Sequence, residues 1–237
     1  MHRDDRPIGR ILSRREALAI MGGVMLAAHG RAEAAGGAMP ACIVRPEQTE
    51  GPYFVEERLN RSDIRLDPAT GKAAAGVPLS VTFKTLRVSG GRCTPLAGAH
   101  VDVWHCDALG AYSDVRDPRG STVGQKFLRG FQTTDAAGLA RFTTIYPGWY
   151  EGRAVHIHFK VRTDVAPRGR EFTSQIYFDD AVTDAVHRQD PYAARGQRRV
   201  RNGRDGLFAH GGDQLLLTVA EDGRGYAGTF EVGLHLA

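Results

Sequence analysis

Leu79-Ser80-Val81-Thr82-Phe83-Lys84-Thr85-Leu86 alternates apolar and polar side chains. An extended chain turns successive side chains to opposite faces, so this period of two marks a strand with one buried face. Ala99-His100-Val101-Asp102-Val103-Trp104-His105 repeats it, and further strands are expected over 140–145, 155–161, 174–178, 214–219 and 228–236. Between them lie Ser89-Gly90-Gly91, Asp135-Ala136-Ala137-Gly138, Pro147-Gly148 and Asp222-Gly223-Arg224-Gly225, which read as turns. Short strands punctuated in this way, with no long amphipathic helix and no internal repeat, predict an all-β fold, a two-sheet β-sandwich with long loops.

The N-terminus reads differently. Ser13-Arg14-Arg15-Glu16-Ala17-Leu18 is a twin-arginine pattern, followed by small apolar residues over 19–28 and by Ala32-Glu33-Ala34, a small-x-small cleavage site. The apolar run is shorter than the ~20 residues that cross a bilayer, so it fits the core of a signal peptide rather than a membrane anchor. The duller reading is a buried Ala-rich helix. The expected organisation is a twin-arginine signal over 1–34, an extended N-terminal arm over 35–75 that could support a homodimer, and the sandwich over 76–237. The expected location is the periplasm or the exterior. Twin-arginine export carries folded proteins, which suits a protein that takes up a metal before export.

The net charge of +4 reflects that leader in part. Residues 1–34 hold six arginines and four acidic residues, so the remainder carries about +2. No nucleic-acid or membrane surface is indicated, and the basic stretch 195–204, set among Gly, Gln and Asn, reads as a solvated loop. Of the three cysteines, Cys42, Cys93 and Cys106, one pair could form a disulfide in an oxidising compartment and leave an odd thiol.

The chemistry concentrates in Thr143-Thr144-Ile145-Tyr146-Pro147-Gly148-Trp149-Tyr150-Glu151-Gly152-Arg153-Ala154-Val155-His156-Ile157-His158. On a strand His156 and His158 point the same way, ~7 Å apart at ~3.3 Å per residue, while Ile157 points into apolar packing. Two imidazoles so placed can converge on one metal ion. Tyr150 stands nearby, and Tyr112, at the end of Trp104-His105-Cys106-Asp107-Ala108-Leu109-Gly110-Ala111-Tyr112, is the best candidate for a second phenolate, with Tyr146 its rival. Free tyrosine titrates near ~10, so phenolate ligands call for a strongly acidic cation such as ferric iron.

With these residues in view the chain resembles the intradiol ring-cleavage dioxygenases, the non-haem Fe(III) family that includes protocatechuate 3,4-dioxygenase and catechol 1,2-dioxygenase. The matching stretches are Thr49-Glu50-Gly51-Pro52-Tyr53-Phe54, Pro95-Leu96-Ala97-Gly98-Ala99 with the strand Val101 to Trp104, Gly110-Ala111-Tyr112, Thr134-Asp135 to Thr144, Tyr146-Pro147-Gly148-Trp149-Tyr150 with Arg153 and His156-Ile157-His158-Phe159, and Gln175-Ile176-Tyr177-Phe178. The resemblance implies Tyr112, Tyr150, His156 and His158 as ligands of one Fe(III), with Tyr150 the axial tyrosinate that leaves when a catechol chelates the metal. It implies Arg153 as the cation that stabilises negative charge on the bound ring, Gln175 beside the oxygen pocket, and Gly51, Pro52 and Tyr53 along the substrate cavity. The implied reaction takes a catechol-type substrate and O2 and opens the ring between its two hydroxyl-bearing carbons to a cis,cis-muconate-type diacid.

Each residue has a duller reading: Arg153 as a surface partner of Glu151, Gln175 as a strand-face amide, Trp104 and Trp149 as core aromatics. Two other classes stay open, a non-catalytic β-sandwich binding module and a metallo-hydrolase using His156 and His158 with a carboxylate such as Glu151. The chain has no room for the helical linker domain of the catechol 1,2-dioxygenases, which favours a protocatechuate-like single-domain layout.

Overall fold

A computed structural model describes residues 43–163 and 169–235; the expected signal over 1–34 and Cys42 lie outside the described residues. The alternating stretch 79–86 lies in the strand that organises the fold. β1 (Pro78–Ser89) buries Leu79, Val81 and Phe83 in alternation. At Thr85 and Leu86 two successive residues are buried, because one edge of β1 changes partner there. β7 (Leu139–Ile145) pairs antiparallel with residues 78–84, and β2 (Arg92–Pro95) with residues 86–89. Thr85 sits at the junction, its hydroxyl donating to the Leu96 and Gly138 carbonyls, so the buried polar atom is satisfied. The other edge of β1 runs parallel to β11 (Tyr226–His235) along its length, and β10 (Ala220–Glu221) closes this sheet.

The second sheet is antiparallel, in the order β6 (Arg129–Thr133), β3 (His100–Trp104), β8 (His156–Arg162), β9 (Glu171–Tyr177). A short hairpin, β4 (Arg116–Asp117) with β5 (Gly120–Ser121), stands apart. The sheets meet through aromatic packing: Phe83 lies 5.1 Å from Phe159, and Phe142 and Phe230 complete the contact. Burying each such side chain contributes roughly 1.5–3 kcal/mol.

β8 is buried on both faces, and this creates the site. Ile157, Phe159 and Val161 fill the space between the sheets, while His156, His158 and Lys160 are equally buried on the outer face. The cover over that face comes from loops and from the arm, where Tyr53 and Phe54 pack with Trp104, Cys106, Tyr112, Val115 and Tyr150. Residues 43–75 form only isolated bridges, as expected of an arm, yet Ile64 is fully buried in the main core.

Two expectations need correction. Residues 214–219 are not a ladder strand: Gly211, in the left-handed region at φ 89°, leads into a 3₁₀ turn over Gly212–Leu215, and one bridge joins Leu216 to Tyr177. The stretch 195–204 is not simply solvated. Arg198 pairs with Asp180 and Asp184 of the single described α-helix, α1 (Asp180–His187), and Asn202 is buried. Strand β6 was not expected from sequence. Cys93 is disulfide-bonded, and Cys106 is the free, buried thiol.

Candidate active site

The outer face of β8 brings three of the four expected ligands together. Nε2 of His156 lies 3.0 Å from Nε2 of His158 and 3.2 Å from the Tyr112 hydroxyl. Nδ1 of His156 is 2.7 Å from the Ala154 carbonyl, which can only accept, so the proton of the neutral ring sits on Nδ1 and Nε2 presents its lone pair. Burial, and then the charge of Arg153, pulls the His156 pKa down to about 3. His158 is held well below its ordinary value by burial and by His156. Both rings are therefore neutral, the state in which imidazole binds metals.

This donor set fits a cation. Two imidazole nitrogens that each reach one ion at ~2.1 Å can be no more than ~4 Å apart, and the 3.0 Å separation meets that. Among the described residues Nδ1 of His158 is buried with no hydrogen-bond partner, so that ring has polar capacity the described protein groups do not use. The Tyr112 phenol is fully buried, and burial raises its pKa well above the ordinary value, so it ionises only beside a strong positive charge. Among the described residues no three His, Cys, Asp or Glu side chains converge, and Glu151 is exposed, 3.9 Å from Arg199. The convergent donors are thus imidazoles and a phenol.

Tyr150 adjoins this group without bonding to it. Its ring meets Tyr112 edge-on, with centroids 5.7 Å apart, while its hydroxyl is hydrogen-bonded to Tyr53 and, at 3.1 Å, to Asp117. Tyr53 stacks on Tyr112 with centroids 4.7 Å apart and donates to Asp117 at 2.8 Å. Burial works to raise the Asp117 pKa, but hydrogen bonds from Arg119 and Tyr53 outweigh it and bring the value to about 2. Arg119 also lies over the Tyr150 ring, 5.0 Å from its centroid. The β4–β5 hairpin delivers both residues.

Arg153 is bound inward rather than to Glu151. Its Nε donates to Asp205 at 2.9 Å, and one terminal nitrogen donates to Gln175 Oε1 at 2.7 Å and to the Tyr177 hydroxyl at 3.1 Å. Gln175 is the β9 partner of His158 in register, and its amide donates to the Thr49 carbonyl. Gly51, in the left-handed region at φ 68°, passes so close to His158 that a Cβ there would sit 3.2 Å from Cε1. Pro52 is exposed. Tyr146, the rival phenol, is bonded to Thr183 elsewhere, and Trp149 donates to the Gly196 carbonyl beneath Arg195. Trp104 is a core aromatic that lies flat against His158, 5.0 Å between centroids and 7° between planes.

Sequence reasoning missed Asp205, Asp117, Arg119 and the part played by Tyr177. Tyr177 could have been found, since it is two residues from Gln175 and shares its strand face. Asp205 accepts from the Leu207 and Phe208 amides, a local Asp turn legible in sequence, but nothing local points it at Arg153.

A dioxygenase family model matches residues 49–205. The chain is 33% identical over 131 residues to a protocatechuate 3,4-dioxygenase beta chain of Burkholderia cepacia, covering 51% of this chain and 54% of that one. It is 30% identical over 171 residues to catechol 1,2-dioxygenase 1 of Acinetobacter lwoffii, covering 65% and 50%. The chain thus spans about half the length of these curated relatives. Among solved structures, an intradiol ring-cleavage dioxygenase from Tetranychus urticae superposes with a TM-score of 0.69 at 30% identity, covering 82% of this chain and 95% of that one. The dioxygenase domain of a carbohydrate-binding fusion from Streptomyces sp. SirexAA-E gives a TM-score of 0.56 at 30% identity, covering 82% and 100%.

Proposed function

The chain belongs to the dioxygenase family whose model spans residues 49–205, that of the intradiol ring-cleavage enzymes it resembles, and on that premise we propose that it is a non-haem Fe(III) enzyme. It takes a catechol-type substrate and O2, opens the ring between the two hydroxyl-bearing carbons and releases a cis,cis-muconate-type diacid. The observation that carries this reading is the convergence of the Tyr112 hydroxyl with the Nε2 atoms of His156 and His158 on the buried outer face of β8.

Tyr112, His156 and His158 would hold the iron, with Tyr150 as the fourth ligand. When bound, ferric iron supplies Lewis acidity and a template for the two catechol oxygens. The protein's own groups do the rest. Ala154 fixes the His156 tautomer, an outer-partner role that orients a ligand and tunes its basicity. Tyr53 and Asp117 hydrogen-bond the Tyr150 hydroxyl and would orient it. Arg153, fixed by Asp205, Gln175 and Tyr177, is a preorganised cation beside the place where negative charge develops on the ring. Stabilisation by such a fixed group costs no reorganisation during the reaction.

The visible spectrum of iron-loaded protein, recorded before and after catechol is added without oxygen, tests the reading. A tyrosinate-to-Fe(III) band that moves to longer wavelength with catechol is the expected result. Protein that stays colourless and iron-free after reconstitution overturns it and favours a binding module. We also propose export through the twin-arginine route; the bonded state of Cys93 suits an oxidising compartment. Finding the unprocessed chain in the cytoplasm of an expressing bacterium, with none exported, would count against that route.

A further inference from the structure

Among the described residues, three buried polar atoms have no hydrogen-bond partner: Nε1 of Trp104, one terminal nitrogen (Nη1) of Arg129, and Oε1 of Glu57. Trp104 and Arg129 are both 2% exposed, and the Glu57 side chain 6%. Register brings Trp104 and Arg129 together beside His158, and the arm adds Glu57. Trp104 is the Cα partner of Arg129 across β3–β6 and of His158 across β3–β8, so the three side chains share one face of the sheet. The other nitrogens of Arg129 are engaged: Nε and Nη2 donate to the Ser113 carbonyl, and Nε also to its hydroxyl. Glu57 gives its second oxygen to Lys126. Trp104, Arg129 and Glu57 all line one small cavity, with about 10 Å³ open to the centre of a water molecule, lined also by Phe54, Arg58 and Asp102.

We propose that Trp104, Arg129 and Glu57 bind a single buried water, and that through it Trp104 is fixed as the platform on which the His158 imidazole lies. Two N–H donors cannot satisfy each other, and each needs an acceptor. A water accepts from both and has hydrogens left for Glu57, giving the two to four partners that buried waters make. The cavity has room for about one. A small anion would accept from both donors too, but the lining sets the Glu57 and Asp102 carboxyls against the Arg58 and Arg129 guanidiniums, with no excess of positive charge to hold it. Water is the occupant that the charges favour. The consequence reaches the metal ligands because the indole is parallel to His158 at 5.0 Å, so whatever holds the indole edge sets the plane of that imidazole. Trp104 and Arg129 are thus positioning residues, acting through His158.

A high-resolution crystal structure of the iron-free protein tests the binding half without reference to catalysis. One ordered peak within hydrogen-bond distance of Trp104 Nε1 and Arg129 Nη1 is expected. No peak there overturns the water, and an anomalous signal at that position after a bromide soak overturns it in favour of an anion. The platform half is read from Trp104→Phe, which keeps a flat ring and removes the N–H, and from Arg129→Met as a second variant should the first fail to fold. In either variant's crystal structure the peak is lost and the His158 ring leaves its parallel alignment; a ring that stays within a few degrees of parallel overturns the platform. Ferric ion titrated into these variants should bind ~10–100-fold more weakly than into the parent, the range for loss of a ligand's outer partner, and unchanged affinity with an unchanged band also overturns it. Only this titration rests on the ferric reading. Should the parent protein develop no band, that reading fails, while the two crystallographic outcomes still decide the proposal.

Discussion

Arg153 donates from Nε to Oδ2 of Asp205 at 2.9 Å, and the same oxygen accepts the Ala154 N–H at 2.7 Å. One buried carboxylate therefore holds both the guanidinium and the backbone whose carbonyl fixes the tautomer of His156. Arg153→Ala should keep iron and colour while turnover falls by about 10²–10³, the scale for removing one preorganised charge-stabilising donor. Asp205→Asn should lower turnover too, and less than additively when combined with Arg153→Ala, because it acts through that residue. Steady-state kinetics of the three variants provide the check; full activity in Arg153→Ala would show that the guanidinium does not stabilise the bound ring.

The convergent ligands and Tyr150 should separate in a ferric titration. Tyr112→Phe and His156→Ala remove donors from the cluster itself and should abolish both binding and turnover. Tyr150→Phe, whose hydroxyl is bonded to Tyr53 and Asp117 rather than to the cluster, should retain iron with an altered band and slower catechol binding. Equal loss of iron in all three would remove the distinction.

Gly51→Ala should disturb the site more than the fold. The residue is left-handed at φ 68°, and its new Cβ would press on His158 Cε1 at 3.2 Å. The backbone cost is roughly 1–2 kcal/mol. Urea unfolding should register a loss of that size while ferric affinity drops; unchanged affinity would mean that the imidazole can retreat freely.

Acid stability should depend on His105. The ring is fully buried between the Cys106 carbonyl and the Thr144 hydroxyl, and burial pulls its pKa down to about 4. The unfolded chain takes up this proton near pH ~6.5, whereas the folded chain resists until about 4. The unfolded state therefore binds more protons across that window, and stability falls as the pH drops through it, by on the order of 3 kcal/mol. His105→Gln should flatten the slope of unfolding free energy against pH between these limits; an unaltered slope would assign the acid limb to other groups.

Much of the fold was legible because strand direction is a local property. The alternation in 79–86 placed β1, and the spacing of His156 and His158 put both rings on one face whatever lay around them. The strand expected over 214–219 failed because periodicity does not say whether a partner edge is available. There, one bridge to Tyr177 follows a 3₁₀ turn. Strand β6 went unseen because Arg129-Gly130-Phe131-Gln132-Thr133 carries no clean alternation, its arginine being buried.

By itself the sequence determined the two-sheet pattern, the shared face of the imidazoles and the motifs that tie Tyr112, Tyr150, Arg153 and Gln175 to one family. Only the tertiary structure decided that Asp205 anchors Arg153, that Asp117 and Tyr53 take the Tyr150 hydroxyl, and that Trp104 lies flat on His158. Side-chain direction follows from two dihedrals per residue and is carried by neighbours in the chain. The partner of a buried charge follows from register and packing among segments dozens of residues apart, and no local period encodes it.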